Sequence, residues 1–170
     1  MTDIYFLLEY PIYRDFEAGD IDALSVICEA VTLKKGQELF KEGSAGDAMY
    51  IVKKGNIKIY KENDNRKKLI TLISEGEFFG EMSLIEGAPR SATAVAGEDA
   101  ELIRLGKEGF ERLKTDYSAA GFKVLGVILK FMSQRIRRTT TKAAKLIKGR
   151  KKKIRKKSQP KSVKRVKLKR

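Results

Sequence analysis

Phe79-Gly80-Glu81-Met82-Ser83-Leu84-Ile85-Glu86-Gly87-Ala88-Pro89-Arg90-Ser91-Ala92-Thr93-Ala94-Val95-Ala96 is the stretch on which the reading of this chain turns. A glycine precedes a carboxylate. A short apolar turn follows, Met82 to Ile85, and a Gly87-Ala88-Pro89 corner then delivers Arg90. Each residue type has a physical use. Gly80 lacks a Cβ, so backbone there can approach a ligand closely. Glu81 is an acceptor for hydroxyl groups. A helical turn over 81–85 would present free N–H groups and a dipole that favour an anion. Arg90 carries a rigid fork of donors matched to phosphate oxygens, and Ser91 adds a hydroxyl. Together they suit a sugar-phosphate. On the residues alone, an ordinary turn with a solvated Arg and a solvated Glu stays open.

Upstream of this stretch the period is two. Short apolar runs, Val31-Leu33, Leu39-Phe40, Ala48-Val52, Ile57-Tyr60 and Leu69-Ile73, alternate with turn signals, and Ala92-Ala96 and Glu101-Leu105 continue the series. Gly43, Gly46, Gly55, Gly76 and Gly80 sit where such strands must reverse. The spacing predicts an antiparallel sandwich or barrel. Before it, Ile21, Leu24, Ile27 and Cys28 have helical spacing within Ala18 to Ala30. Residues 1–16 are apolar and aromatic and predict short helical turns packed on the body, with a membrane or partner contact as the alternative.

Downstream the period becomes helical. Phe110 and Leu113 mark a short helix, and a longer one runs from about Ala119 past Lys142. Phe122, Leu125, Leu129, Met132, Ile136, Thr139, Ala143 and Leu146 alternate in steps of three and four, the seam of a heptad pattern. Val124, Val127, Ile128 and Phe131 lie off that seam and are expected to cover the helix's own body. Two apolar faces predict one for the body and one for a second copy of the chain through 122–146. A single broad face buried in one monomer is the alternative.

Charge divides the chain. Residues 1–116 hold all 22 acidic residues and 16 of the 37 basic ones, while the other 21 basic residues lie beyond residue 116. Residues 142–170 alone carry 16 Lys and Arg with no acid and no aromatic. Such density, with Gly149 and Gln159-Pro160, predicts a disordered tail over 149–170. Its cations would release counterions from nucleic acid without reading sequence. An anionic lipid surface, an acidic protein, or simple solubilisation are the other uses of such a tail. The chain has no histidine and one cysteine, Cys28. That excludes Ser-His-Asp chemistry, His-ligated metal and an intrachain disulfide, and fits a reducing, cytoplasmic setting. No nucleophile motif, acid–base pair or metal cluster stands out, so no catalytic residue is expected and the chain is not read as an enzyme. Neither the N-terminus nor Phe122–Met132 has the character of a signal peptide or a membrane span.

The Phe-Gly-Glu start, the apolar pair and the Pro-Arg-Ser-Ala-Thr run resemble the phosphate-binding cassette of cyclic nucleotide-binding domains, as found in catabolite-activator-type regulators and kinase regulatory subunits. The order from Leu39 through Gly43, Gly46-Asp47 and Tyr50 to Gly55 is similar to the same family's barrel. The resemblance implies a mainly β fold with flanking helices, an antiparallel β jelly-roll barrel followed by a long C-terminal helix. The implied parts are the barrel with its N-terminal helices over 1–117, the helix over 118–148 and the tail over 149–170. It implies a ligand site of Phe79, Gly80, Glu81, Met82, Ser83, Arg90, Ser91 and Ala92, with Glu81 on the ribose 2′-hydroxyl, Arg90 on the cyclic phosphate and Ser91 in support. The ligand is expected to be cAMP, or cGMP, with no metal. In the run Arg135-Ile136-Arg137-Arg138-Thr139-Thr140, Thr139 and Thr140 match the hydroxyl residues that reach the base; threonines that are solvated or sit at the dimer seam are the alternative. The chain departs from the transcription-factor members in showing no helix-turn-helix after the long helix. The implied function is a sensor that couples nucleotide binding to the helix and basic tail. The rival is a ligand-free dimeric scaffold whose tail binds nucleic acid.

Overall fold

Each of the seven apolar runs forms a strand in the computed structural model, which describes residues 1–63 and 66–157. The chain divides into two compact units, Met1–Ile128 and Leu129–Arg170. In the first, two 3-10 turns, Tyr5–Glu9 and Pro11–Tyr13, lead into α1, Ala18–Ile27. The strands are β1 Glu29–Leu33, β2 Glu38–Phe40, β3 Ala48–Lys54, β4 Ile57–Asn63, β5 Arg66–Ile73, β6 Phe78–Phe79, β7 Thr93–Ala96 and β8 Ala100–Gly106. A short helix α2, Glu81–Glu86, separates β6 from β7; α3, Lys107–Thr115, and α4, from Ser118, follow β8.

The strands build two antiparallel four-stranded sheets, β1-β8-β3-β6 and β2-β7-β4-β5. The fold class is the expected jelly roll, but the barrel is not closed. Among the described residues no ladder joins the two sheets. Side-chain alternation sorts the core. From β3, Ala48, Tyr50 and Val52 point between the sheets with Ile57, Phe79, Ala94 and Leu102. Met49 and Ile51 point the other way. They meet Phe78, Ile103 and Leu105 against Leu7, Tyr13, Leu24, Val124, Val127 and Ile128, around an apolar cavity of about 30 Å³. The middle of the first sheet, β3 with β8, is therefore covered on both faces, which is why β3 reads as a near-continuous apolar run. Residues 1–16 serve as expected, as turns packed on this sheet. The Tyr13 hydroxyl donates to Gly76 O at 3.0 Å, in the turn that leads to β6. Cys28 is buried beside this cavity and burial pushes its thiol up to about 12.

Helix α4 runs from Ser118 to Lys157. Its first turns belong to the first unit, where Val124, Val127 and Ile128 are buried and Phe122 is 76% exposed. Its remainder, in the second unit, exposes Leu129 and Ile136 and buries Phe131. The helix passes residue 148, where the sequence places the start of a disordered tail. Lys, Arg and Ile continue a helix readily, and the one glycine costs only about 1 kcal/mol. Residues 158–170 of that tail lie outside the described residues. Among the described residues no helix is long and apolar enough to cross a membrane.

Candidate functional site

Two left-handed glycines frame the segment between β6 and β7. Gly80 (φ 79°) caps the start of α2 and Gly87 (φ 67°) caps its end, donating its N–H to Ser83 O at 2.9 Å. Gly80 also has no room for a side chain. An added Cβ would lie 2.8 Å from Arg90 Nη1 and 3.3 Å from Ala48 O. The Gly87-Ala88-Pro89 corner then brings Arg90 against the loop before β3. Its backbone is paired both ways there, donating to Ser44 O at 2.8 Å and accepting from Gly43 N at 2.9 Å.

Anchored in this way, the Arg90 side chain turns inward and is 3% exposed. Nη1 donates to Ala48 O at 2.7 Å and to Gly80 O at 3.0 Å. The guanidinium lies on an aromatic bed, 4.2 Å from the Phe40 ring centroid and 5.7 Å from that of Tyr50. Phe79 extends the bed, stacked on Tyr50 at 5.5 Å. Nε is buried with no hydrogen-bond partner. The nearby carboxylate is Asp47, whose Oδ1 stands 3.8 Å from Nη2, too far for a hydrogen bond. Burial holds the Arg90 pKa below its ordinary value, and the neighbouring Tyr50 and Asp47 only partly oppose that. A buried cation is costly unless it is paired and hydrogen-bonded. Two carbonyls and two ring faces give part of that compensation and leave donors unused.

The other expected residues fall into three groups. Glu81, in the first turn of α2, and Ser83 are buried, at 4% and 3% exposed. A Cβ on Gly46 would lie 2.1 Å from Ser83 Cβ and 3.2 Å from Arg90 Nε, so Ser83 and Arg90 border the same turn. Met82 and Ser91 are exposed and Ala92 is partly open. The Ser91 carbonyl accepts from Lys61 Nζ at 2.8 Å, and Lys61 also pairs with Glu42 at 2.7 Å. Thr139 and Thr140 are exposed residues of α4 in the second unit. Phe40, Tyr50, Gly46, Asp47 and the Ala48 carbonyl were not singled out as site groups by the sequence. They entered the sequence reading only as strand and turn residues of the barrel pattern. Among the described residues no group of three or more His, Cys, Asp or Glu could hold a metal ion.

The family model described as cyclic nucleotide-binding domain matches residues 30–117. The cAMP-dependent protein kinase regulatory subunit of Mucor circinelloides f. lusitanicus is 34% identical over 109 residues, 64% of this chain and 26% of that protein. The chain thus spans about a quarter of that relative's length. The Thermus thermophilus catabolite activator protein superposes with a TM-score of 0.67 at 27% identity, covering 81% of this chain and 63% of that one. A cyclic nucleotide-binding domain from Methylobacillus flagellatus KT shares the fold, with a TM-score of 0.73 at 23% identity over 92% of this chain and 85% of its own.

Proposed function

The chain belongs to the cyclic nucleotide-binding domain family, and from that premise we propose that it is a regulatory module that binds a cyclic nucleotide, cAMP before cGMP, on the segment from Phe79 to Ala92. Arg90 receives the cyclic phosphate with Ser91 beside it. Glu81 accepts from the ribose 2′-hydroxyl, and Gly80 lets the ligand approach the backbone. Phe79, Met82, Ser83 and Ala92 shape the floor and lip. The observation that carries this reading is the Arg90 Nε–H, a buried donor of a buried cation with no acceptor of its own. An anion supplies the missing acceptor and charge together. The name of the Mucor relative, a cAMP-dependent protein kinase regulatory subunit, supports cAMP over other cyclic nucleotides.

Binding draws α2 toward the ligand and biases α4, which carries the response. Thr139 and Thr140 meet the base, 122–146 pairs with a second copy, and the basic residues of 142–170 meet nucleic acid. The module acts in the cytoplasm by binding rather than by catalysis. A ligand-free scaffold gives the Arg90 Nε–H no role.

Calorimetric titration with cAMP, cGMP and a cyclic dinucleotide tests the ligand. Binding to the folded state also raises the melting temperature. Arg90→Ala is expected to lose at least about a hundredfold in affinity, since removing a charge-assisted pair costs about 3 kcal/mol. Heat and melting curves unmoved by all three nucleotides would overturn the reading. The tail has a separate test: a chain stopped after Thr141 should lose salt-dependent retention on DNA while keeping the nucleotide-induced melting shift.

A further inference from the structure

Asp47 stands between two guanidinium groups. Its Oδ2 accepts from Arg104 Nη2 at 3.0 Å, whereas its Oδ1 stops 3.8 Å short of Arg90 Nη2. Arg104 sits on β8, in register with Tyr50 of β3, and its Nη1 donates to Glu29 Oε2 of β1 at 3.0 Å. The backbone holds Asp47 in reach of both cations, because Lys107 N donates to Asp47 O at 2.8 Å. Its carboxylate is largely exposed and has room to turn.

This arrangement poses a physical question. Arg90 is the buried and undercompensated cation, so an adjacent carboxylate should close on it. A move of roughly 1 Å would convert the 3.8 Å approach into a charge-assisted hydrogen bond. Arg104 is more exposed and already has Glu29, yet it holds the Asp47 oxygen. A carboxylate tethered this close competes with any dissolved anion at high effective concentration.

We propose that Arg104 is a positioning residue for the cassette: by holding Asp47 at the rim it keeps that carboxylate off Arg90, and so keeps the Arg90 fork open to the ligand's phosphate. Glu29 supports this by fixing the Arg104 fork from the other side. The inference rests on the reading of Arg90 as the phosphate-binding residue. It makes Asp47 an internal rival of the ligand rather than an aid to it.

The test uses the full chain and three variants, Arg104→Gln, Asp47→Asn and the double variant, each titrated with cAMP. Arg104→Gln should weaken binding about tenfold, the effect of one competing charged contact at a partly open site. The double variant should return to within about twofold of the parent, because the rival has lost its charge. A double variant as weak as Arg104→Gln would show a merely structural role and overturn the proposal. A second readout needs no ligand. The ¹⁵N resonance of Arg90 Nε in the free protein should move in Arg104→Gln and return in the double variant. An Arg90 signal that stays in place in Arg104→Gln overturns the proposal whatever the titrations give. If the parent binds neither cAMP nor cGMP, the ligand assignment fails, and this resonance alone decides whether Arg104 controls Asp47.

Discussion

At the residue scale, Gly46 shows how closely the parts of the cassette approach. A Cβ there would lie 2.1 Å from Ser83 Cβ and 2.6 Å from its Oγ. Gly46 is not among the left-handed glycines, so space rather than backbone angle requires it. Gly46→Ala is expected to push α2 outward at a cost of about 1–3 kcal/mol, lowering the melting temperature and weakening cAMP binding together. Adding Ser83→Gly should recover most of the melting temperature; a double variant no more stable than Gly46→Ala counts against the contact. The sequence showed Gly46 as a turn residue, and its packing role was invisible because Ser83 lies far along the chain. The same limit hid the bed beneath Arg90. Gly80, Glu81 and Arg90 were legible because they are near neighbours in one contiguous pattern. Phe40 and Tyr50 come from separate strands that only folding brings together.

At the scale of elements, Asp20 ties α1 to α4. Its Oδ2 accepts from the Glu17 backbone N–H at 2.8 Å, closing the cap of α1, and from Lys123 Nζ at 2.5 Å. Burial opposes ionisation of Asp20, but the Lys123 ammonium and the Glu17 N–H outweigh it and hold the carboxyl below its ordinary value. Lys123 is raised in turn by the same bond to Asp20. A carboxyl depressed in the folded state contributes stability above its unfolded value and loses it as pH falls through the folded one. The loss should therefore set in below about pH 4. Urea denaturation at neutral pH should show Asp20→Asn less stable by about 1 kcal/mol. The gap between variant and parent should close as the medium is acidified through that range. A gap that does not change with pH rules out the ionised pair as its source. Most elements were readable: seven apolar runs gave seven strands. The missing strand, β6, has only two residues between the Gly76 and Gly80 turns, too few to show alternation. The extent of α4 was also missed, because like charge was weighed above the helix propensity of Lys and Arg.

At the scale of the whole molecule, an acidic body and a strongly basic C-terminal region share one chain, and α4 belongs partly to each unit. Its exposed large apolar residues among the described ones, Phe122, Leu125, Leu129 and Ile136, are among those the heptad spacing assigned to a second copy. Leu129→Glu with Ile136→Glu should convert a dimer to a monomer in sedimentation equilibrium, since a charge at a seam position has no partner there. A parent that sediments as a monomer at all concentrations would remove this part of the reading. The covering of the first sheet's outer face has a practical consequence for anyone wishing to move the cassette into another protein. Cut back to Ala30–Tyr117, the sandwich would lose the N-terminal turns, α1 and the start of α4. Met49, Ile51, Phe78, Ile103 and Leu105 would then face water as one greasy slab. A sensor graft must therefore carry its own roof, from Met1 through Ile128, or it will stick to its neighbours before it meets a nucleotide.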